Sequence, residues 1–272
     1  MNSDCTSSSA SQLITVEEEK SKAFARCLHD HHPMYFNKEA AAALRYDNIL
    51  ASPTFPVAWW KRFTQPWLPK NEVIIHGEQL FVYSQQLLAG DQIKCSMKLK
   101  SAREKAGLLI VKQVLSGSNQ NGPVFDAETT LFIPRQKEQS RQVSSESQAA
   151  VIRADLETGP ITTKELYRYA EVSGDDQPIH LKPEAARNAG FSTNIVHGMY
   201  LMGRAAVLFH PELELGRRLK KYRMRFQQPL SAGDGLAFYA DRKKAEGHIY
   251  FTGKNREDGS PLVTGHAEFE SI

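Results

Sequence analysis

Asp175 and His180 stand five residues apart in the stretch Ser173-Gly174-Asp175-Asp176-Gln177-Pro178-Ile179-His180, and His197-Gly198 follows after one short predicted helix. A carboxylate and an imidazole at this spacing form a candidate acid/base pair, because histidine changes charge near neutral pH and a neighbouring carboxylate can share its proton. Pro178 stiffens the backbone ahead of His180, and a glycine opening the next helix could turn its N–H toward a ligand. Taken singly, Asp175 reads as a turn former after Gly174, and His180 as a buried structural histidine. Their combination, in only one copy of the internal repeat described below, favours chemistry.

The elements that must position the pair are legible around it. Thr162 and Glu165 have capping-box spacing, Leu166, Tyr169 and Ala170 supply an apolar stripe, and Gly174 is placed to end that helix. Met199, Met202, Ala205, Ala206 and Phe209 make the helix after Gly198 apolar on more than one face, as expected of a helix wrapped by a sheet. Strand patterns follow in KKYRMRFQQPL, GLAFYADRKK, HIYFTGKN and PLVTGHAEFE, with Asp258-Gly259 as a hairpin signal. The earlier part of the chain has the same plan. Thr15 and Glu18 suggest a capping box before a helix over 16–28, alanine-rich 39–44 suggests another, and strand patterns run from Val73 to about residue 134.

An offset of 145 pairs Phe24-Ala25 with Tyr169-Ala170, Asp30 with Asp175, Pro33 with Pro178 and Glu39-Ala40 with Glu184-Ala185. Such self-similarity is the mark of an internal duplication. The expected organisation is a Ser-rich disordered tail over 1–13, a first half over 14–134, a linker over 135–150 and a second half over 151–272. In the first half Tyr35 falls where His180 stands and Ser52 falls near Gly198, so that half lacks the histidine and reads as non-catalytic. Its FPVAWW segment could line a long pocket.

Bulk properties narrow the class. With 41% apolar and 24% charged residues in 272, the chain is globular and can bury a core in one large or two smaller domains. No apolar run approaches the ~20 residues of a membrane span, and the N-terminal segment has no export pattern. Three cysteines without metal-like spacing (Cys5, Cys27, Cys95) suit a reducing compartment, so a cytoplasmic protein is expected. A net charge of +3 does not argue for nucleic acid. Arg217, Arg218, Lys220, Lys221, Arg223 and Arg225 nevertheless concentrate positive charge, as a phosphate or acidic-partner footprint or as a solvated strand edge. His29, His31 and His32 around Asp30 read as a solvated loop rather than a metal site.

Ser173 to His180, followed by Ile195-Val196-His197-Gly198-Met199, resembles the signature of the MaoC-like, R-specific enoyl hydratase family of hotdog proteins. Gln177 departs from the family's usual Asn. With weaker motifs the resemblance extends over 14–270, and the segment HGEQLFVYSQQLLAGD resembles the degenerate first hotdog of double-hotdog members. It implies an α+β double hotdog, two antiparallel sheets each wrapped around a central helix. It also implies reversible addition of water to a trans-2-enoyl thioester, giving the (3R)-hydroxyacyl thioester. On that resemblance Asp175 and His180 hold the water and Gly198 offers its N–H to the thioester oxygen. Gln177, Pro178, His197 and Met199 would bound the substrate, and Arg218 and Lys221 would contact CoA phosphates or an acidic carrier protein. No cofactor or metal is implied, and a monomer or a homodimer would suit. The rival readings are a non-catalytic acyl-thioester binding module, and a dehydratase of a branched or dicarboxylic CoA ester, which would need a cation in the pocket. A thioesterase is disfavoured by the absence of a carboxylate from 198–210, and a serine hydrolase by the absence of Gly-x-Ser-x-Gly.

Overall fold

A computed structural model describes residues 8–70, 72–135, 153–243 and 245–271. The first half runs β1 (Gln12–Thr15), α1 (Glu18–Cys27), α2 (Lys38–Ala43), a 3-10 helix (Phe55–Arg62), then β2 (Ile75–Tyr83), β3 (Gln92–Lys105), β4 (Leu108–Asn119) and β5 (Gly122–Pro134). The second runs β6 (Leu156–Glu157), α3 (Thr163–Ser173), α4 (Pro178–Leu181), α5 (Pro183–Asn188), α6 (Gly198–Ala205) and α7 (His210–Glu214), then β7 (Arg217–Phe226), β8 (Leu236–Asp241), β9 (His248–Asn255) and β10 (Pro261–Ser271).

All strand pairs are antiparallel and form one sheet of ten strands in the order β1-β3-β4-β5-β2-β7-β10-β9-β8-β6. The second five strands repeat the order of the first five in reverse. The expected two hotdog sheets are therefore joined edge to edge, where β2 meets β7 from Glu78↔Arg225 to Val82↔Lys221. Each edge at that seam would otherwise expose unpaired backbone groups. Glu78 accepts from Arg223 at 2.7 Å and Arg225 at 2.6 Å across it.

In the second half the central helix is α6, in which every residue from Met199 to Ala205 is buried. A side chain at Gly203 would meet the Leu28 side chain at 2.6 Å, so this glycine lets α6 lie against the end of α1. The first-half counterpart is a 3-10 helix of the same length, eight residues, with Pro56 at its start.

The duplication is written in the hydrogen bonds. Leu50 N–H donates to Met34 O as Ile195 N–H does to Ile179 O. Ala51 to Leu87 and Ala89 to Ile49 match Val196 to Leu230 and Ala232 to Asn194. The offset of 145 thus still holds at residue 51, which sets Ser52 opposite His197 and Pro53, rather than Ser52, opposite Gly198.

Three expectations change. Gln12–Thr15 pairs with β3 and Ser8 bridges Lys98, so the tail expected over 1–13 is ordered from Ser8 onward, and residues 1–7 lie outside the described residues. Strand pairing also takes Thr15 out of the expected capping box, and α1 begins after Glu17 without a side-chain cap. The run from Arg217 to Arg225 is no strand edge, because β7 lies mid-sheet between β2 and β10. Of the expected linker, 136–150 lies outside the described residues.

Candidate active site

The capping box at the start of α3 is present in both arms: Thr162 Oγ1 accepts from Glu165 N–H at 3.3 Å and Glu165 accepts from Thr162 N–H at 2.7 Å. At its other end Gly174 takes φ +74°, a left-handed cap that non-glycine residues adopt with strain. The chain then turns sharply, and Asp175 N–H donates to Ser173 Oγ at 3.1 Å. Asp175 Oδ1 accepts from Gln177 N–H at 3.4 Å, and Pro178 opens α4, which carries the buried His180.

Backbone carbonyls set both imidazole tautomers. His180 Nδ1 donates to Ile195 O at 2.8 Å, leaving Nε2 with its lone pair. His197 Nε2 donates to Asp175 O at 2.9 Å, and its ring stacks on His180 with centroids 3.9 Å apart. One nitrogen from each ring and a carboxylate oxygen of Asp175 lie within 4.8 Å of one another. Three such atoms could surround a water or a cation.

Burial works to raise the Asp175 carboxyl, but His180, His197 and the Gln177 N–H outweigh it and hold the group below its ordinary value. Burial pushes His197 down to about 3, with His180 adding to the effect, so it is a neutral hydrogen-bonding group at pH 7.

These residues open on a cavity of about 280 Å³, lined by both halves. The second half brings Asp175, His180, Gly198, Met199, Phe226 and Leu230, and the first brings Val57, Trp60, Lys61, Gln65, His76 and Gln113. Gly198 is the first residue of α6, and a helix does not use its first N–H groups internally. A Cβ there would lie 3.1 Å from the Phe226 ring. Lys61 and Asp176 form an ion pair of 2.5 Å between the halves.

The expected residues divide by position. Asp175, His180, Gly198, Gln177 and Met199 line the cavity, whereas His197 stands behind it, where it orients the Asp175 turn and the His180 ring. Pro178 is exposed and shapes only the backbone of α4, so it does not bound the cavity. Arg218 and Lys221 also lie outside the lining: Arg218 pairs with Glu270 at 2.8 Å, and Lys221 stands in register with Val82 and Glu268.

His76 has no counterpart in the sequence reading. A register shift between His76 and Glu78 marks a bulge in β2, and His76 lines the cavity between Trp60 and Phe226, with ring centroids 5.6 and 5.0 Å away. Its Nε2 bonds Gln79 Oε1 at 3.1 Å, and burial pushes its pKa down to about 4. The sequence signal was present only as a histidine in a strand of the unequipped half.

The corresponding place in the first half is closed. Asp30 is 2% exposed, accepts from His32 N–H at 3.2 Å and contacts His210 Nε2 at 3.2 Å. Tyr35 is buried where His180 would be, and Pro53, whose carbonyl accepts from Tyr83 Oη, has no N–H to offer.

Comparison with known proteins agrees with this arrangement. The family model for the FAS1-like dehydratase domain region matches residues 3–126, and that for the MaoC like domain matches residues 145–259. The chain belongs to the MaoC-like dehydratase family. A UPF0336 protein of Mycobacterium leprae is 33% identical over 129 residues, covering 45% of this chain and 78% of that protein. The 3-hydroxyacyl-thioester dehydratase X of Mycobacterium tuberculosis is 28% identical over 198 residues, 70% of this chain and 66% of that one. Among solved structures, a MaoC-like dehydratase from Phytophthora capsici superposes with a TM-score of 0.76 at 20% identity, covering 98% of this chain and 96% of that one. A Mycobacterium tuberculosis protein described as a double hotdog gives 0.66 at 12% identity, covering 97% of each chain. This MaoC-like chain thus has the double-hotdog fold. Among its described residues, no helix is long and apolar enough to cross a membrane.

Proposed function

We propose that this MaoC-like protein hydrates trans-2-enoyl thioesters to (3R)-hydroxyacyl thioesters and catalyses the reverse dehydration, on CoA or carrier-protein substrates. The observation that carries the reading is the His180 ring held by Ile195 O, with Nε2 left as a base beside an Asp175 carboxylate in a cavity that also exposes Gly198. A water held by the pair gives a proton to His180 Nε2 as its oxygen bonds to C3. The pair returns a proton to C2, so its proton count is restored over the cycle. In between, negative charge gathers on the thioester oxygen, where the Gly198 N–H at the positive end of α6 would stabilise it. The low pKa of Asp175 keeps a negative charge available to balance an imidazolium on His180.

We further assign the chemistry to the second half alone, with 14–134 shaping the chamber, and assign no metal or cofactor to the reaction. Asp175→Asn and His180→Ala should each lower crotonyl-CoA hydration by at least about 100-fold, the usual effect of losing a general acid or base. Near-normal rates in both variants would sink the reading. A protein that binds acyl thioesters without hydrating any would instead be a binding module. Arg218 and Lys221 remain candidates for CoA phosphates or a carrier protein only outside the cavity, and Lys61, already paired with Asp176, leaves a dicarboxylic ester no free cation among the lining residues.

A further inference from the structure

The chamber wall supplied by the first half sets Gln65 and Gln113 among the apolar Val57, Leu68, Ile74, Ile75 and Leu131, where an alkyl chain alone would favour an apolar surface throughout. Gln113 on β4, Thr129 on β5 and Gln79 on β2 stand in one register row across the sheet, exposed by only 1%, 1% and 0%. Across the seam the row continues as Met224, Gly265 and Phe251, so the polar part is confined to the first half. The groups are partly satisfied by one another. Trp67 Nε1 donates to Gln113 Oε1 at 2.7 Å, Gln113 Nε2 donates to Gln65 Oε1 at 2.8 Å, and Thr129 Oγ1 donates to Gln79 Oε1 at 2.8 Å.

Counting both sides leaves donors in excess where Gln65, Gln113 and Trp60 line the cavity. Each amide nitrogen carries two hydrogens. Gln113 Nε2 has one acceptor, Gln65 Nε2 reaches Trp60 O only at 3.5 Å, and Trp60 Nε1 is buried with no hydrogen-bond partner among the described residues. Buried donors without acceptors are destabilising, and an apolar chain end would leave them so. A ligand oxygen would satisfy them. A carboxylate is disfavoured, because the cationic side chain in the lining is Lys61, which already pairs with Asp176.

We propose that the chamber selects acyl chains bearing an uncharged oxygen function, a hydroxyl or carbonyl group, beyond C3, with Gln65 and Gln113 as the specificity-determining residues. This rests on the reading of the chamber as an enoyl-thioester site, but it can be tested without turnover. Pairs of saturated acyl-CoA isosteres ending in a methyl or a hydroxyl group, from pentanoyl-CoA to decanoyl-CoA, would be titrated calorimetrically into the full-length protein. An apolar chamber prefers the methyl ligand at every length, since a hydroxyl gives up its bonds to water. The expected result is the opposite at the length that reaches the two glutamines, with the hydroxyl ligand binding about tenfold more tightly. Gln65→Leu with Gln113→Leu should return the preference to methyl, whereas Gln65→Leu alone, which leaves Gln113 Nε2 without its acceptor, should retain the hydroxyl preference. The comparison in the unaltered protein decides should the double variant fold poorly. Methyl preference at all lengths in the unaltered protein, or hydroxyl preference that survives the double substitution, would overturn the proposal. Crotonyl-CoA is too short to carry the distal group. Failure to hydrate it would count against the acid/base reading while leaving the binding comparison to decide this one.

Discussion

Gly198 does two things that can be separated by substitution. Its N–H, at the start of α6, is the proposed donor to the thioester oxygen, and its missing side chain leaves room for Phe226, 3.1 Å from where a Cβ would lie. Gly198→Ala keeps the N–H and crowds the ring, whereas Gly198→Pro crowds it and removes the donor. Proline is well suited to the first position of a helix, and Pro53 occupies the matching position of the first half. Turnover of Gly198→Pro should fall about 100-fold or more below that of Gly198→Ala, as for loss of one oxyanion donor. Equal rates for the two variants would remove the N–H from the mechanism. At this scale the sequence showed Asp175 and His180 because their partnership is local, set by one helix end and one turn. It did not show His76, whose place depends on a bulge and on the pairing of β2 with β5 and β7, none of which is a local property.

At the scale of elements, α3 and the turn after it act as one positioning unit. The capping box fixes where the helix begins and Gly174 where it ends, and Asp175 follows at once. Thr162→Ala should destabilise the fold by about 1 kcal/mol, the usual effect of losing such a cap, read as a lower urea midpoint with an unchanged slope. The same pattern at Thr15 and Glu18 failed, since the backbone of Thr15 pairs with Gln92 at the edge of β3. A capping motif states a local preference, and a neighbouring strand can override it. The six-charge run suggested a strand edge for a related reason: its alternating neighbours Tyr222 and Met224 are fully buried, and outward charges such as Arg225 and Arg218 find carboxylates on the adjoining strands, Glu78 and Glu270.

For the whole molecule, the two imidazoles around the chamber make stability depend on pH. Unfolded histidine takes up a proton near pH 6.5, whereas His76 in the folded chain does so only near 4. Between those values the unfolded state binds the extra proton, so the stabilisation is complete above about pH 6.5 and is lost as pH falls toward 4, by about 3 kcal/mol for this group. His197, at about 3, acts in the same direction. His76→Gln should therefore flatten the fall of the urea midpoint between about pH 6.5 and pH 4, and an unchanged profile would exclude His76 as its source.

The two halves also differ in how far each could change back. Tyr35→His would restore an imidazole opposite Asp30, yet Pro53 still has no N–H, Tyr83 bonds its carbonyl, and His210 reaches across from α7 to Asp30. None of these changes alone reopens that place, and the His210 contact ties Asp30 to the second half. On the proposed division of labour, selection on the first half acts on the shape of a room rather than on a reaction.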